Sequence, residues 1–169
     1  MVTTISRMQF LRGDLSGRSA PLRPPWAREE ALFTSLCTRC GDCISACPTG
    51  IIHKGRGGFP YLDFGRGECL FCEDCVRICT PAALHISPGQ APWNLRASLN
   101  TDNCLAYRGV ECRACADPCE SRAIRVQPRI GGVALPNIDL SACNGCGACQ
   151  APCPVQALSI QPLRREETA

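Results

Sequence analysis

Four cysteine sets, apolar residues at matching offsets around each of them, and a proline and glycine break midway predict an α+β fold. The expected architecture is two tandem modules of short strands and helical turns built around metal loops. The sets are "CTRCGDCISACP" at 37–48, "CLFCEDCVRICTP" at 69–81, Cys104 with "CRACADPC" at 112–119, and "CNGCGACQAPCP" at 143–154. Together they hold all sixteen cysteines of the 169-residue chain. Such a density, about one residue in ten, belongs to a disulfide scaffold, a zinc protein or a cluster protein.

The flanks of the sets align as well as the cysteines do. Five residues before each first cysteine stand Leu32, Phe64, Leu99 and Ile138, and five after each last cysteine stand Ile52, Leu84, Ile124 and Leu158. Seven after, Ile86, Val126 and Ile160 match while Lys54 does not. The alternating pieces "YLDF", "LHI", "IRV" and "LSI" are long enough only for small strands, and the cysteine loops have room for a turn or so of helix. The last cysteines lie 32, 40 and 34 residues apart, and the longest gap contains "SPGQAPWN". The expected organisation is therefore an N-terminal extension over 1–30, a first module over 31–88, a linker over 89–95, a second module over 96–163 and a tail over 164–169.

Compartment separates the three cysteine chemistries. A disulfide scaffold needs an export signal, and "SRMQFLR" (6–12) carries Met8 where a twin-arginine signal has its second arginine, with "GDLSGRSAPLRPP" in place of an apolar run. No stretch approaches the roughly 18 apolar residues of a membrane span. The expectation is a cytoplasmic chain with reduced thiols available to metal.

Zinc takes two thiolates from one Cys-x-x-Cys and two from a distant partner around one ion. Three cysteines at successive intervals of three instead wrap one face of a larger object. The run C-x2-C-x2-C-x3-C-P is the ligation pattern of bacterial ferredoxins, in which the fourth cysteine serves the other 4Fe-4S cluster. Applied here, Cys37, Cys40, Cys43 and Cys79 hold one cluster and Cys69, Cys72, Cys75 and Cys47 its neighbour. Cys143, Cys146, Cys149 and Cys119 hold another, which leaves Cys104, Cys112, Cys115 and Cys153 for a fourth. Gly41, Gly145, Gly147 and Ala148 are small enough to bring backbone N–H groups near cluster sulfurs, or serve simply as turn residues.

The third set is irregular. "LAYRGVE" separates Cys104 from Cys112 where two residues are usual, and Glu120 stands in place of the closing proline. Either Cys104 is a ligand and the chain carries four clusters, or Cys104 is a spare buried thiol and the site is a three-thiolate cluster, labile or absent, which leaves three secure clusters. In both cases aromatic residues make up only 5% of the chain, so the clusters substitute for a core and folding requires them.

The formal charge of +3 does not point to nucleic acid. Each oxidised cluster with its thiolates carries roughly −2, which brings the loaded chain to about −3 or −5. Five arginines against Asp14, Glu29 and Glu30 leave residues 1–30 basic, a feature that fits either docking to an acidic partner or a solvated leader. "RPPW" (23–26) presents Trp26 either to a partner or to the first module. His53 and His85 read as ordinary strand or surface residues, since every set already has its thiols.

In "SRMQFLRG", "RPPW", "GRGGFPYLDF", the long "CLAYRGVEC" and "ACNGCGACQAPCPVQAL" the chain resembles the ferredoxin-type NapF family of 4Fe-4S polyferredoxins, which serves the periplasmic nitrate reductase system. The resemblance implies a cytoplasmic accessory protein that acts on the precursor of the catalytic nitrate reductase subunit and assists its maturation before export. It also implies three clusters, on Cys37 to Cys47, Cys69 to Cys79 and Cys143 to Cys153. The alternative reading is a permanent electron-wiring subunit of a membrane or periplasmic reductase. Catalysis by the chain itself is not expected: the C-x3-C-x2-C run of radical enzymes and Gly-rich phosphate loops are both missing.

Overall fold

The computed structural model describes residues 21–163. The "SRMQFLRG" segment and the 164–169 tail lie outside the described residues. Among the described residues secondary structure is sparse and mixed: three short α-helices, one 3-10 turn at Arg56–Gly58 and three two-stranded antiparallel sheets.

Helix α1 (Glu30–Leu36) draws on good helix formers, and Arg23 holds its first turn through an ion pair with Glu30 at 2.5 Å. It buries Phe33 completely and stops where Cys37 turns to extended backbone. The flank alignment named Leu32, which is 43% exposed; the position lies in a helix whose inward face falls on Phe33. Helices α2 (Asp42–Ser45) and α3 (Asp74–Arg77) are the single turns anticipated inside the first two cysteine sets. The third and fourth sets contain turns only.

Strands β1 (Ile52–Lys54) and β2 (Pro60–Leu62) form a hairpin with Ile52 opposite Leu62. Strand β3 (Leu95–Leu99) pairs with β6 (Leu158–Pro162), and β4 (Ile124–Arg129) pairs with β5 (Gly132–Ile138). "IRV" and "LSI" thus lie in strands. "LHI" does not: Leu84 makes one isolated bridge with Ala27, while His85 and Ile86 are exposed. The four apolar residues after the last cysteines, Ile52, Leu84, Ile124 and Leu158, are all buried.

One core runs through both halves of the chain, from Phe33, Ile51 and Phe64 to Ala97, Ile124 and Ile160. Trp93, in the segment expected as a linker, stacks edgewise on Phe64 and Phe71 and donates its indole N–H to the Asn144 carbonyl at 2.9 Å. A Cβ on Gly147 would collide with the Phe64 ring, so only glycine lets the fourth loop seat against the first half. Residues 21–29 lie along the first half: the Leu62 N–H donates to the Leu22 carbonyl, and Pro24, Pro25 and Trp26 are buried. Trp26 therefore faces the protein's own interior and not a partner.

Candidate metal centres

All sixteen cysteines are free thiols, and five of them, Cys75, Cys104, Cys115, Cys143 and Cys149, are core residues in their own right. Among the described residues no charged side chain is buried with them. Backbone conformation explains how each loop turns its sulfurs inward. In the first, second and fourth sets the residues two and four after the first cysteine are left-handed: Arg39 and Gly41, Phe71 and Glu73, Gly145 and Gly147. Arg39, Phe71 and Glu73 carry side chains in this costly conformation, a strain typical of functional loops. After the last cysteine of every set, the third residue is also left-handed: Gly50, Ala82, Arg122 and Gln156. The chain exits each loop by the same turn.

The sulfurs gather in four quartets. Site 1 is a void lined by Cys37, Cys40, Cys43 and Cys79, with Phe33, Ile44 and Leu84 around it. Site 2 is lined by Cys47, Cys69, Cys72 and Cys75, with Trp26, Ile51 and Ile52. Site 4 is lined by Cys104, Cys112, Cys115 and Cys153, with Leu99 and Leu158. At site 3, Cys146, Cys143, Cys115 and Cys119 all stand near enough to Cys149 to disfavour its thiolate, and since Cys115 lines site 4 the fourth sulfur here is Cys119. In each quartet three cysteines come from one set and the fourth from the other set of the same half.

Electrostatics reports the same grouping. Burial, then the Cys37, Cys79 and Cys40 sulfurs, pushes the Cys43 thiol up to about 11. Burial, then Cys69, Cys43, Cys47 and Cys72, takes Cys75 to about 12. Burial, then Cys104, Cys112 and Cys153, takes Cys115 to about 11. Burial, then Cys146, Cys143, Cys115 and Cys119, takes Cys149 to about 12. Thiols crowded and desolvated in this way need a cation to exist as thiolates together.

The cross-influences also order the sites. Cys43 acts on Cys75 and Cys115 on Cys149, so sites 1 and 2 adjoin, as do sites 4 and 3. Cys146 acts on Cys69, whose N–H donates to the Cys146 carbonyl at 2.8 Å, so sites 2 and 3 meet across the middle of the molecule. The quartets stand in the order 1, 2, 3, 4.

Hydrogen bonds to sulfur distinguish the sites. Leu84 N–H donates to Cys79 at 3.4 Å, Ala157 N–H to Cys153 at 3.2 Å, Phe71 N–H to Cys69 at 3.4 Å and Ala97 N–H to Cys143 at 3.5 Å. Cys47 and Cys119 have a side-chain hydroxyl besides, from Thr49 at 3.5 Å and Ser121 at 3.6 Å. At Cys47 burial works against ionisation, but the Thr49 hydroxyl and the N–H groups of Ile51, Ile52 and Thr49 outweigh it and hold the thiol below its ordinary range. Pro81 and Val155 stand at the corresponding positions after Cys79 and Cys153.

Among the described residues no three His, Cys, Asp or Glu side chains converge on a position for a single metal ion. Four sulfurs spaced around a sulfur- and carbon-lined void fit a 4Fe-4S cube and not zinc. His53 lies in β1 beside Tyr61, with ring centroids 5.9 Å apart, and His85 is exposed; neither lines the voids of sites 1, 2 and 4.

The 4Fe-4S dicluster domain family matches residues 36–83 and 109–162. The ferredoxin-type protein NapF of Haemophilus influenzae is 43% identical over 156 residues, covering 86% of this chain and 88% of the relative. NapF of Escherichia coli K12 is 43% identical over 140 residues, covering 80% and 84%. The chain belongs to the NapF family of ferredoxin-type proteins. A methylamine utilization ferredoxin-type protein, MauM of Methylophilus methylotrophus, is 32% identical over 142 residues, 75% of this chain and 63% of that protein. The family carries several 4Fe-4S clusters, and its proteins are iron–sulfur electron carriers. The second matched segment begins at 109 and so leaves Cys104 outside the family pattern, where the fold nevertheless brings it to site 4. No helix among the described residues is long and apolar enough to cross a membrane.

Proposed function

We propose that the four quartets are the ligand sets of four 4Fe-4S clusters in two tandem ferredoxin-like modules, and that the chain serves as an electron-carrying accessory of the periplasmic nitrate reductase system. When bound, clusters of this kind supply one-electron exchange. The protein's own residues fix their order: the third cysteines join the sites within each half, and the Cys69 to Cys146 hydrogen bond joins the halves. That continuous row of sites carries the reading, because a storage or structural role needs no such order.

The partner is the cytoplasmic precursor of the catalytic nitrate reductase subunit, on which the chain acts during maturation, before export. The family likeness supports this reading. Fully cysteine-ligated clusters leave no iron open to substrate, which supports electron transfer over catalysis.

Oxygen-free purification from cytoplasm tests both parts. About sixteen irons per chain, four per cluster, is the expected content. The precursor co-purifies and the exported enzyme does not. Fixed stoichiometry with the mature enzyme instead makes the chain a permanent wiring subunit, and a colourless or zinc-loaded protein rejects the ligand assignment.

A further inference from the structure

Trp26 combines three observations that packing alone does not explain. Its backbone is left-handed at φ 55, a conformation that bulky residues avoid. Its side chain is 7% exposed. Its indole Nε1 is buried with no hydrogen-bond partner, one of two such side-chain atoms among the described residues. Buried N–H groups are almost always bonded, so an orphan calls for an acceptor beyond the described residues, such as a cofactor atom.

The backbone around Trp26 is fixed on both sides. Its N–H donates to the Pro92 carbonyl at 2.7 Å, its carbonyl accepts from His85 N–H at 2.9 Å, and Arg28 N–H donates to Ala83 at 3.1 Å. The indole held in this way lines the site 2 void along with Cys47, Cys69, Cys72 and Cys75. His53, the other residue with an orphaned atom, lines none of the voids.

We propose that Trp26 donates its indole N–H to a sulfur of the cluster held by Cys47, Cys69, Cys72 and Cys75, and so sets that site at a higher reduction potential than sites 1 and 4. Reduction adds one negative charge to a cluster, so a fixed N–H dipole favours the reduced form. The Thr49 hydroxyl on Cys47 acts in the same direction. Sites 1 and 4 have neither feature: Pro81 and Val155 replace the hydroxyl residue, and no tryptophan lines their voids. This inference rests on the ligand reading above. It makes Trp26 a tuning residue, with the ring packed against the loop and the N–H turned to the cofactor.

The test is an anaerobic redox titration followed by electron paramagnetic resonance, comparing wild type with Trp26→Phe, which keeps the ring bulk and removes the donor. The expected result is an unchanged iron content and one signal whose reduced fraction at fixed poise falls about tenfold, about 59 mV for a one-electron couple. Cys72→Ser identifies which signal belongs to site 2. A fully loaded Trp26→Phe protein with unaltered potentials overturns the proposal, as does a shift confined to a signal that Cys72→Ser leaves untouched. The ligand reading fails separately, by a Cys72→Ser protein that keeps all its iron and its spectrum. Should Trp26→Phe lose its cluster, dithionite-reduced wild type with 15N-labelled indole decides by pulsed resonance. A nitrogen coupling to the site 2 signal supports the bond, and its absence refutes it, because the N–H of Trp93, the other tryptophan, is committed to Asn144.

Discussion

The third cysteine loop and the fourth reach equivalent places by different means. The fourth is a regular run, with Gly145 and Gly147 left-handed two and four residues after Cys143. In the third, seven residues separate Cys104 from Cys112, and that spacer folds on itself: Arg108 N–H donates to the Cys104 carbonyl and Val110 N–H to Leu105. Yet Cys104 is buried at 8% exposure and shares a void with Cys112, Cys115 and Cys153, and the exit turn at Arg122 matches the others. What a cluster loop must conserve is the position of its sulfurs and the turn by which the chain leaves. The spacing is one way to secure them.

The comparison breaks first if metal is unnecessary. Anaerobic chelation of all iron should abolish the circular dichroism of both halves, because the cores gather around cysteine voids and crowded thiols repel when ionised. A metal-free chain that keeps its spectrum would show that protein packing alone suffices.

The next effect bears on equivalence itself. Cys104→Ser and Cys143→Ser should each cost about four irons per chain, one cluster. Full iron in Cys104→Ser would mean that the third loop holds no cluster through this residue and that the count is three.

Glycine substitutions sharpen the contrast further. Gly147→Ala meets both a left-handed φ and the Phe64 ring and should cost about 3 kcal/mol in denaturant resistance of the loaded protein. Gly109→Ala, in the third-set spacer, meets only the left-handed φ, with nothing within 4 Å of its Cβ, and should cost about 1 kcal/mol. Equal losses would mean that the fourth loop is not wedged against the first half.

The smallest effect concerns the missing proline. Glu120→Pro should leave iron content unchanged and alter stability by less than about 1 kcal/mol, since the exit turn already forms without it. A marked gain in cluster retention would show that Glu120 weakens site 4.

The sequence made the cysteine groupings readable because intervals of three and four act through local backbone geometry. The buried apolar residue after each of the four sets and the placing of "IRV" and "LSI" in strands follow from that local code. What was not legible depended on contacts between distant segments. Nothing local to "EALFTSL" says that Phe33, and not Leu32, faces the core, because the helix takes its orientation from Arg23, Phe59 and the first loop. Strand β3 begins inside an expected linker because its partner lies more than sixty residues on, at Pro162. "RPPW" alone suits an outside partner equally well; the Pro92 and His85 backbones, distant in sequence, are what fix Trp26 inward. The left-handed Arg39, Phe71 and Glu73 carry no compositional signal, unlike the glycines that do the same in the fourth loop.

The pairing of β3 with β6 also imposes a timetable on synthesis. Residues 37–79 have all their sulfurs and the Leu84 bridge available once the first hundred residues have emerged from the ribosome. The sulfurs of 104–119 must wait for Cys153, which completes site 4, and for the later strand Leu158–Pro162, which clasps their half. Sites 1 and 2 are thus complete within one stretch of some forty residues, whereas site 4 needs sulfurs about fifty residues apart.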